Sequence, residues 1–230
     1  MRLDRFLSKQ PEFNRQDVRH LLLAGRVRVD GQVVGDGRCE VNDFNRIELD
    51  ERLLQPGRPA RYLMLHKPAG VVSATRDPQH RTVLDLLAES ERADLHIAGR
   101  LDGNTTGLLL LTNDGQWSRR LTLPGSKLPK AYLVETAEPI GPEYVETFAR
   151  GIYFAFEDLT TQPAHLELLG SCSARLTLTE GRYHQVKRMF GHFRNRVTAL
   201  HRESIGPIRL DPRLQPGQYR PLSAEEIACC

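Results

Sequence analysis

The residues best suited to chemistry lie in Gly99-Arg100-Leu101-Asp102-Gly103-Asn104-Thr105-Thr106-Gly107, followed by the leucine run 108–111. A carboxylate, Asp102, stands beside an arginine in a segment bracketed by glycines, just before an apolar run that reads as a strand. A loop held by a buried strand places a side chain reproducibly, so Asp102 is a candidate for nucleophilic or electrostatic work. A phosphate-binding P-loop is excluded, because the Gly-Lys-[Ser/Thr] ending is missing. An ordinary turn aspartate is the other reading that the residues alone leave open. His184 could serve as a metal ligand or general base, but no second ligand stands at a suitable spacing. It reads instead as a structural residue or a contact to a partner.

The elements that must position these residues form an α+β pattern. Strand-like runs occur at 62–65, 108–112, 131–136, 164–168 and 174–179, and helices are expected at 82–90, 143–150 and 183–193. Thr82 could cap the first of these helices. Without regular βαβ alternation, the sheet should be mixed and largely antiparallel. Residues 50–61, with two prolines and a glycine, read as a linker, which puts a small domain at 1–58 and a larger one at 59–230.

The small domain reads as helix, helix, hairpin. Leu3, Phe6 and Leu7 share one helical face and Pro11 ends that helix. Asn14 with Asp17 forms an N-terminal cap for a second helix, and Gly25 is a natural terminator. Val27-Arg28-Val29, Asp30-Gly31 and Gln32-Val33-Val34 then spell a hairpin around a tight turn.

The net charge is only +3, but it is unevenly spread. Residues 1–30 hold seven Lys/Arg against four Asp/Glu, and residues 179–209 hold seven against two, which leaves the rest net negative. Two local basic regions suit a polyanionic partner, with a merely solvated basic face as the alternative. No run approaches the roughly 20 apolar residues of a membrane-spanning helix, and the opening Met1-Arg2-Leu3-Asp4 lacks a signal-peptide core. The four cysteines, Cys39, Cys172, Cys229 and Cys230, form no Cys-x-x-Cys pair and end in no lipidation box. A cytoplasmic protein without a metal site is expected, and the absence of a heptad or broad apolar stripe suggests a monomer.

Two resemblances sharpen these readings. Arg-Leu-Asp-x-Phe-Leu, the basic second helix and Gly-Arg-Val-x-Val-Asp-Gly resemble the S4 RNA-binding module. That resemblance implies RNA contacts from Arg2, Arg5, Arg15, Arg19 and Arg26, with Arg28 nearby. Gly-Arg-Leu-Asp-x-x-Thr-Thr-Gly-Leu-Leu, Lys67-Pro68-Ala69-Gly70, Lys130-Ala131-Tyr132 and Glu180 through Met189 are similar, in order, to the motifs of the bacterial ribosomal RNA pseudouridine synthases. The resemblance implies that Asp102 is the catalytic aspartate, Lys187 its charge partner, and Tyr132 the residue that stacks on the base and helps remove the C5 proton. It further implies that Arg100 positions the loop or a flanking phosphate, and that Lys67, Lys130, Arg182 and Arg188 contact phosphates. No cofactor is implied, because the isomerisation involves no redox change. An opposite charge beside Asp102 would favour its ionised form.

Some positions depart from the family pattern. Lys187 stands where relatives often carry arginine, and lysine cannot make a bidentate pair. His66 stands where asparagine is usual, and Gly103-Asn104 lacks the bulk or acid often found after the aspartate. The tail, from His201-Arg202-Glu203-Ser204-Ile205-Gly206 through Leu222, looks most like the branch acting on 16S rRNA at uridine 516, as naked RNA or in a small-subunit assembly intermediate. The alternatives are a synthase for 23S rRNA or transfer RNA, and a non-catalytic assembly factor that kept the fold.

Overall fold

In the computed structural model, which describes residues 1–229, the chain divides into two compact units, one of residues 1–60 and one from Arg61 on. Cys230, half of the terminal cysteine pair, lies outside the described residues.

The first unit opens with helices α1 (Leu3–Leu7) and α2 (Arg15–Leu23). Asn14 accepts from the amides of Gln16 and Asp17, and the Asp17 carboxylate accepts from the amide of Asn14, so the expected cap is reciprocal. Strands β1 (Val27–Val29), β2 (Gln32–Val33), β3 (Ile47–Leu49) and β4 (Arg52–Gln55) follow, in sheet order β2-β1-β3-β4. Asp30 and Gly31 both take positive φ, 51° and 80°, as a two-residue hairpin turn requires. Leu3, Leu7, Val18, Leu22, Val27 and Ile47 fill a small core between helices and sheet.

One expectation fails here. Residues 50–61 are not all linker, because 52–55 pair antiparallel with β3. Asp50, at φ 53°, makes the turn, and Leu54 packs against the small core. The prolines and glycine of this segment fall after the strand, at 56, 57 and 59.

In the second unit the main sheet is built from β5 (Tyr62–Lys67), β6 (His96–Ala98), β7 (Thr106–Thr112), β8 (Lys130–Thr136), β11 (His165–Gly170), β12 (Ser173–Leu178), β13 (Val197–Ile205), β14 (Ile208–Arg209) and β15 (Tyr219–Pro221). A separate hairpin pairs β9 (Tyr153–Phe154) with β10 (Leu159–Thr160). The helices are α3 (Gly115–Thr122), α4 (Glu143–Arg150), α5 (Gln185–Gly191) and α6 (Ala224–Ala228). The sheet order is β11-β12-β8-β13-β7-β5-β15, with β6 and β14 paired to β7 and β13. Every pairing is antiparallel except β13 with β7.

The leucine run 108–111 now has its explanation, since both faces of β7 are covered. Leu109 and Leu111 enter the larger core with Leu63, Val134 and Phe190, while Leu108 and Leu110 pack opposite with Met64, Trp117 and Leu121. At the parallel junction Gly107, with φ 105°, faces Arg202 so closely that an added Cβ would lie 2.3 Å from the Arg202 carbonyl oxygen.

The helix expected at 82–90 is replaced by two short 3-10 turns, Val83–Leu86 and Glu89–Glu91. Asp85 closes one turn by accepting from both the amide and hydroxyl of Thr82. Leu87 then becomes extended and sends its side chain into the core beside Val83 and Leu84. The helix expected at 183–193 is shorter, 185–191, because His184 takes a left-handed conformation at φ 50°. Among the described residues no helix is long and apolar enough to cross a membrane.

Candidate active site

Asp102 sits in the loop that joins β6 to β7, and several contacts fix that loop. The Ser73 hydroxyl donates to the Leu101 carbonyl at 2.7 Å, and the Leu101 amide donates back to Ser73 Oγ at 3.1 Å. The Thr105 amide closes a turn onto the Asp102 carbonyl. Leu101 itself is buried, so the neighbouring Asp102 is left at the surface of a cleft.

Lys67 is the internal staple of this arrangement. Its side chain is fully buried, and its amine donates to the carbonyls of Pro68, Gly103 and Thr105 at 3.0, 2.9 and 2.9 Å. Burial pushes Lys67 down to about 8, against the opposing pull of the Asp102 charge. The expected phosphate contact from Lys67 is therefore corrected. All three ammonium hydrogens are used inside the protein, and no surface remains for RNA.

The Asp102 carboxylate meets an ammonium and an imidazole delivered by the start of α5. Lys187 Nζ stands 3.0 Å from Oδ2, and His184 Nε2 stands 3.5 Å from Oδ1. The left-handed residue His184 begins the helix, and Lys187 follows one turn on, so both reach the same carboxylate. Glu180 braces this turn: it accepts from the Gln185 side chain at 2.6 Å and pairs with Arg182 at 3.0 Å. The imidazole of His184 is stacked on the exposed ring of Tyr183, with centroids 3.8 Å apart.

The opposite wall comes from the sheet. Tyr132 on β8 is paired with Arg202 on β13. Arg202 is buried, donating from Nε to the Leu108 carbonyl at 2.9 Å, and from Nη1 to the Arg100 carbonyl at 3.4 Å and the Tyr132 hydroxyl at 3.5 Å. Lys130, two residues before Tyr132, shares its face and donates to the Leu128 carbonyl at 3.2 Å. Burial, then the charge of Arg202, lowers the Lys130 amine from its ordinary value. These walls enclose about 570 Å³, within the range of small-ligand sites.

The structure brings Asp102, Tyr132, Lys187, Arg100, Lys130 and Arg182 together around the cleft. Arg188 is held elsewhere. Its guanidinium forms a two-point pair with Glu157 at 2.5 Å and lies over the Phe154 ring at 3.7 Å. Adjacent positions on a helix point about 100° apart, so Lys187 and Arg188 cannot both face Asp102. In the first unit Arg5, Arg15 and Arg19 are exposed and make no ion pair within the described residues, whereas Arg2 pairs with Asp4 and Arg26 with Asp50.

Sequence reasoning missed Arg202 and the contact of His184 with Asp102. A signal for Arg202 existed: a strand that buries Leu200 turns Arg202 to the same side. The reach of His184 depends on its left-handed backbone, which no residue pattern announces. Among the described residues no group of His, Cys, Asp or Glu could hold a metal ion.

Comparison with known proteins identifies the family of the chain. Residues 61–192 match the family model of RNA pseudouridylate synthase, and residues 1–42 match the S4 domain. A Pseudomonas aeruginosa protein named ribosomal small subunit pseudouridine synthase A is 68% identical over 227 residues, covering 99% of each chain. Its Escherichia coli K12 namesake is 46% identical over 228 residues, again covering 99% of each. A crystal structure of a pseudouridylate synthase, 39% identical, superposes with a TM-score of 0.73 over 100% of this chain and 99% of that one. The chain belongs to the RNA pseudouridylate synthase family and carries an S4 domain at its N-terminus.

Proposed function

We propose that the protein converts one uridine of 16S ribosomal RNA, at the position equivalent to 516, into pseudouridine, with Asp102 as the catalytic carboxylate and no cofactor. The small-subunit substrate is supported by the relatives of 46% and 68% identity, whose names specify that subunit. The catalytic assignment is carried by one observation: Asp102 is the carboxylate of the cleft that meets Lys187 and His184 rather than a structural hydrogen-bond network.

Pseudouridine formation breaks the N1–C1′ bond, turns the base and joins C5 to C1′, with loss of the C5 proton. A carboxylate can attack the sugar or the base, or assist departure of the base. Each route needs the Asp102 anion close to the ribose and base, and Lys187 balances that charge. The base must leave its stack to reach Asp102, and Tyr132 offers an aromatic face and a hydroxyl beside it. Arg202 orients that hydroxyl. Arg100 and Arg182, exposed at the cleft, face the incoming backbone.

In this reading residues 1–58 grip the RNA through Arg5, Arg15 and Arg19, and residues 59–230 carry the chemistry. The protein acts as a cytoplasmic monomer on the RNA or on a small-subunit assembly intermediate. Chemical mapping of pseudouridine in total RNA from cells lacking the gene tests the substrate. The expected result is loss of one modification from 16S rRNA. Loss from 23S rRNA or transfer RNA, with 16S unchanged, contradicts it.

A further inference from the structure

The cleft holds more positive charge than its carboxylates balance. Asp102 is met by Lys187 and His184, and Glu180 by Arg182. Among the described residues Lys130 and Arg202 have no carboxylate partner. The hydrogen bonds of Arg202 all go to neutral oxygens, and its Nη2 is buried without any partner. Lys130 has one neutral acceptor, the Leu128 carbonyl. The two cations are close enough that the charge of Arg202 disfavours a proton on Lys130. Arg202 is buried and Lys130 half-buried; a buried cation without a counter-charge costs stability, and a second, half-buried cation beside it adds to the cost. Such an arrangement is expected where a bound anion completes it.

We propose that Lys130 and Arg202 form a phosphate subsite beside Tyr132, which takes one backbone phosphate next to the target uridine. Lys130 touches the phosphate, and Arg202 supplies charge behind it while holding the Tyr132 hydroxyl. A base carbonyl is neutral and would leave the excess charge in place, whereas a phosphate anion answers it. A uridine turned out of its stack brings its own phosphates with it, which puts such an anion within reach of the cleft. This inference rests on the reading of the cleft as the uridine site.

The test uses full-chain enzyme and 16S rRNA, ligated to carry a single neutral methylphosphonate linkage at each phosphate flanking the target in turn. In the wild type, one linkage should lower kcat/KM by roughly 10- to 100-fold, as expected for a lost charge-assisted contact. In Lys130→Met the same linkage should cost less than about three-fold, because the contact is already gone. Arg202→Lys, which keeps the charge, should still discriminate against that linkage. Lys130→Met should also unfold at an equal or higher temperature than the wild type, since it removes a like-charge neighbour; a purely structural lysine would give a lower one. Equal penalties in wild type and Lys130→Met at every linkage overturn the subsite alone. Inactivity of the wild type on the unmodified ligated RNA overturns the 16S reading, and this inference with it.

Discussion

Gly107→Ala puts a methyl group where the backbone of the neighbouring strand already stands. The added carbon lies 2.3 Å from the Arg202 carbonyl oxygen and 2.6 Å from its amide nitrogen, and the residue holds φ at 105°. A side chain at such a φ costs about 1–3 kcal/mol. Overlap with atoms that cannot rotate away adds about 1–3 kcal/mol. A loss of about 2–6 kcal/mol is a large share of the 5–15 kcal/mol typical of a folded domain. Trp117 is the only tryptophan and is fully buried, so its fluorescence reports unfolding of this unit. With a urea dependence of about 2 kcal/mol per molar, the midpoint should fall by about 1 M or more. Gly103→Ala is the control four residues away, where an added Cβ meets nothing within 4 Å and φ is not positive. Its midpoint should move by less than about 0.4 M, in keeping with an uncrowded glycine. A Gly107→Ala midpoint within about 0.5 M of wild type would refute the argument that this glycine exists to let β7 meet β13.

Lys67→Met should destabilise the protein by about 2 kcal/mol or more, since three carbonyls, that of Thr105 fully buried, lose the ammonium as a donor; urea unfolding at pH 7 reads this. The pH dependence has a definite sign. Burial holds Lys67 at about 8 in the folded protein, below the ordinary 10.5, so the unfolded chain binds the extra proton between those values. Wild-type stability relative to Lys67→Met should therefore rise with pH from about 8 to 10.5, and a relative fall in that window would contradict the burial argument. Arg15→Ala with Arg19→Ala should weaken RNA binding at low salt and flatten its salt dependence by roughly 0.7–0.9 in log-log slope per lost phosphate contact, measured by filter binding. An unchanged slope removes these arginines from the RNA face. Arg188→Ala should leave that slope unaltered, because its guanidinium is committed to Glu157 and Phe154.

What the sequence shows plainly is local chemistry. Asn14 with Asp17 and Asp30 with Gly31 announce a cap and a hairpin because each pattern acts within four residues. The strands around Leu109, Tyr132 and Leu176 follow from apolar runs, and the loop bearing Asp102 is marked by its glycines. Burial is harder to read. Lys67 resembles any surface lysine in a turn, and only the folded chain shows Gly103 and Thr105 returning to accept from it. Arg188 and Lys187 are equally basic neighbours, separated by the phase of a helix whose start depends on a left-handed histidine. Arg202 stayed hidden between the polar His201 and Glu203, although the alternation of β13 turned it inward beside Tyr132.

The central claim is that Asp102 performs the isomerisation, and release of tritium from 16S rRNA labelled at uridine C5 tests it most directly. Joining C5 to C1′ must expel that hydrogen, so the counts report the chemical step itself. The account predicts stoichiometric release by the wild type and none by Asp102→Asn, with the variant retaining RNA binding and the wild-type fold. Release by Asp102→Asn at the wild-type rate would contradict it.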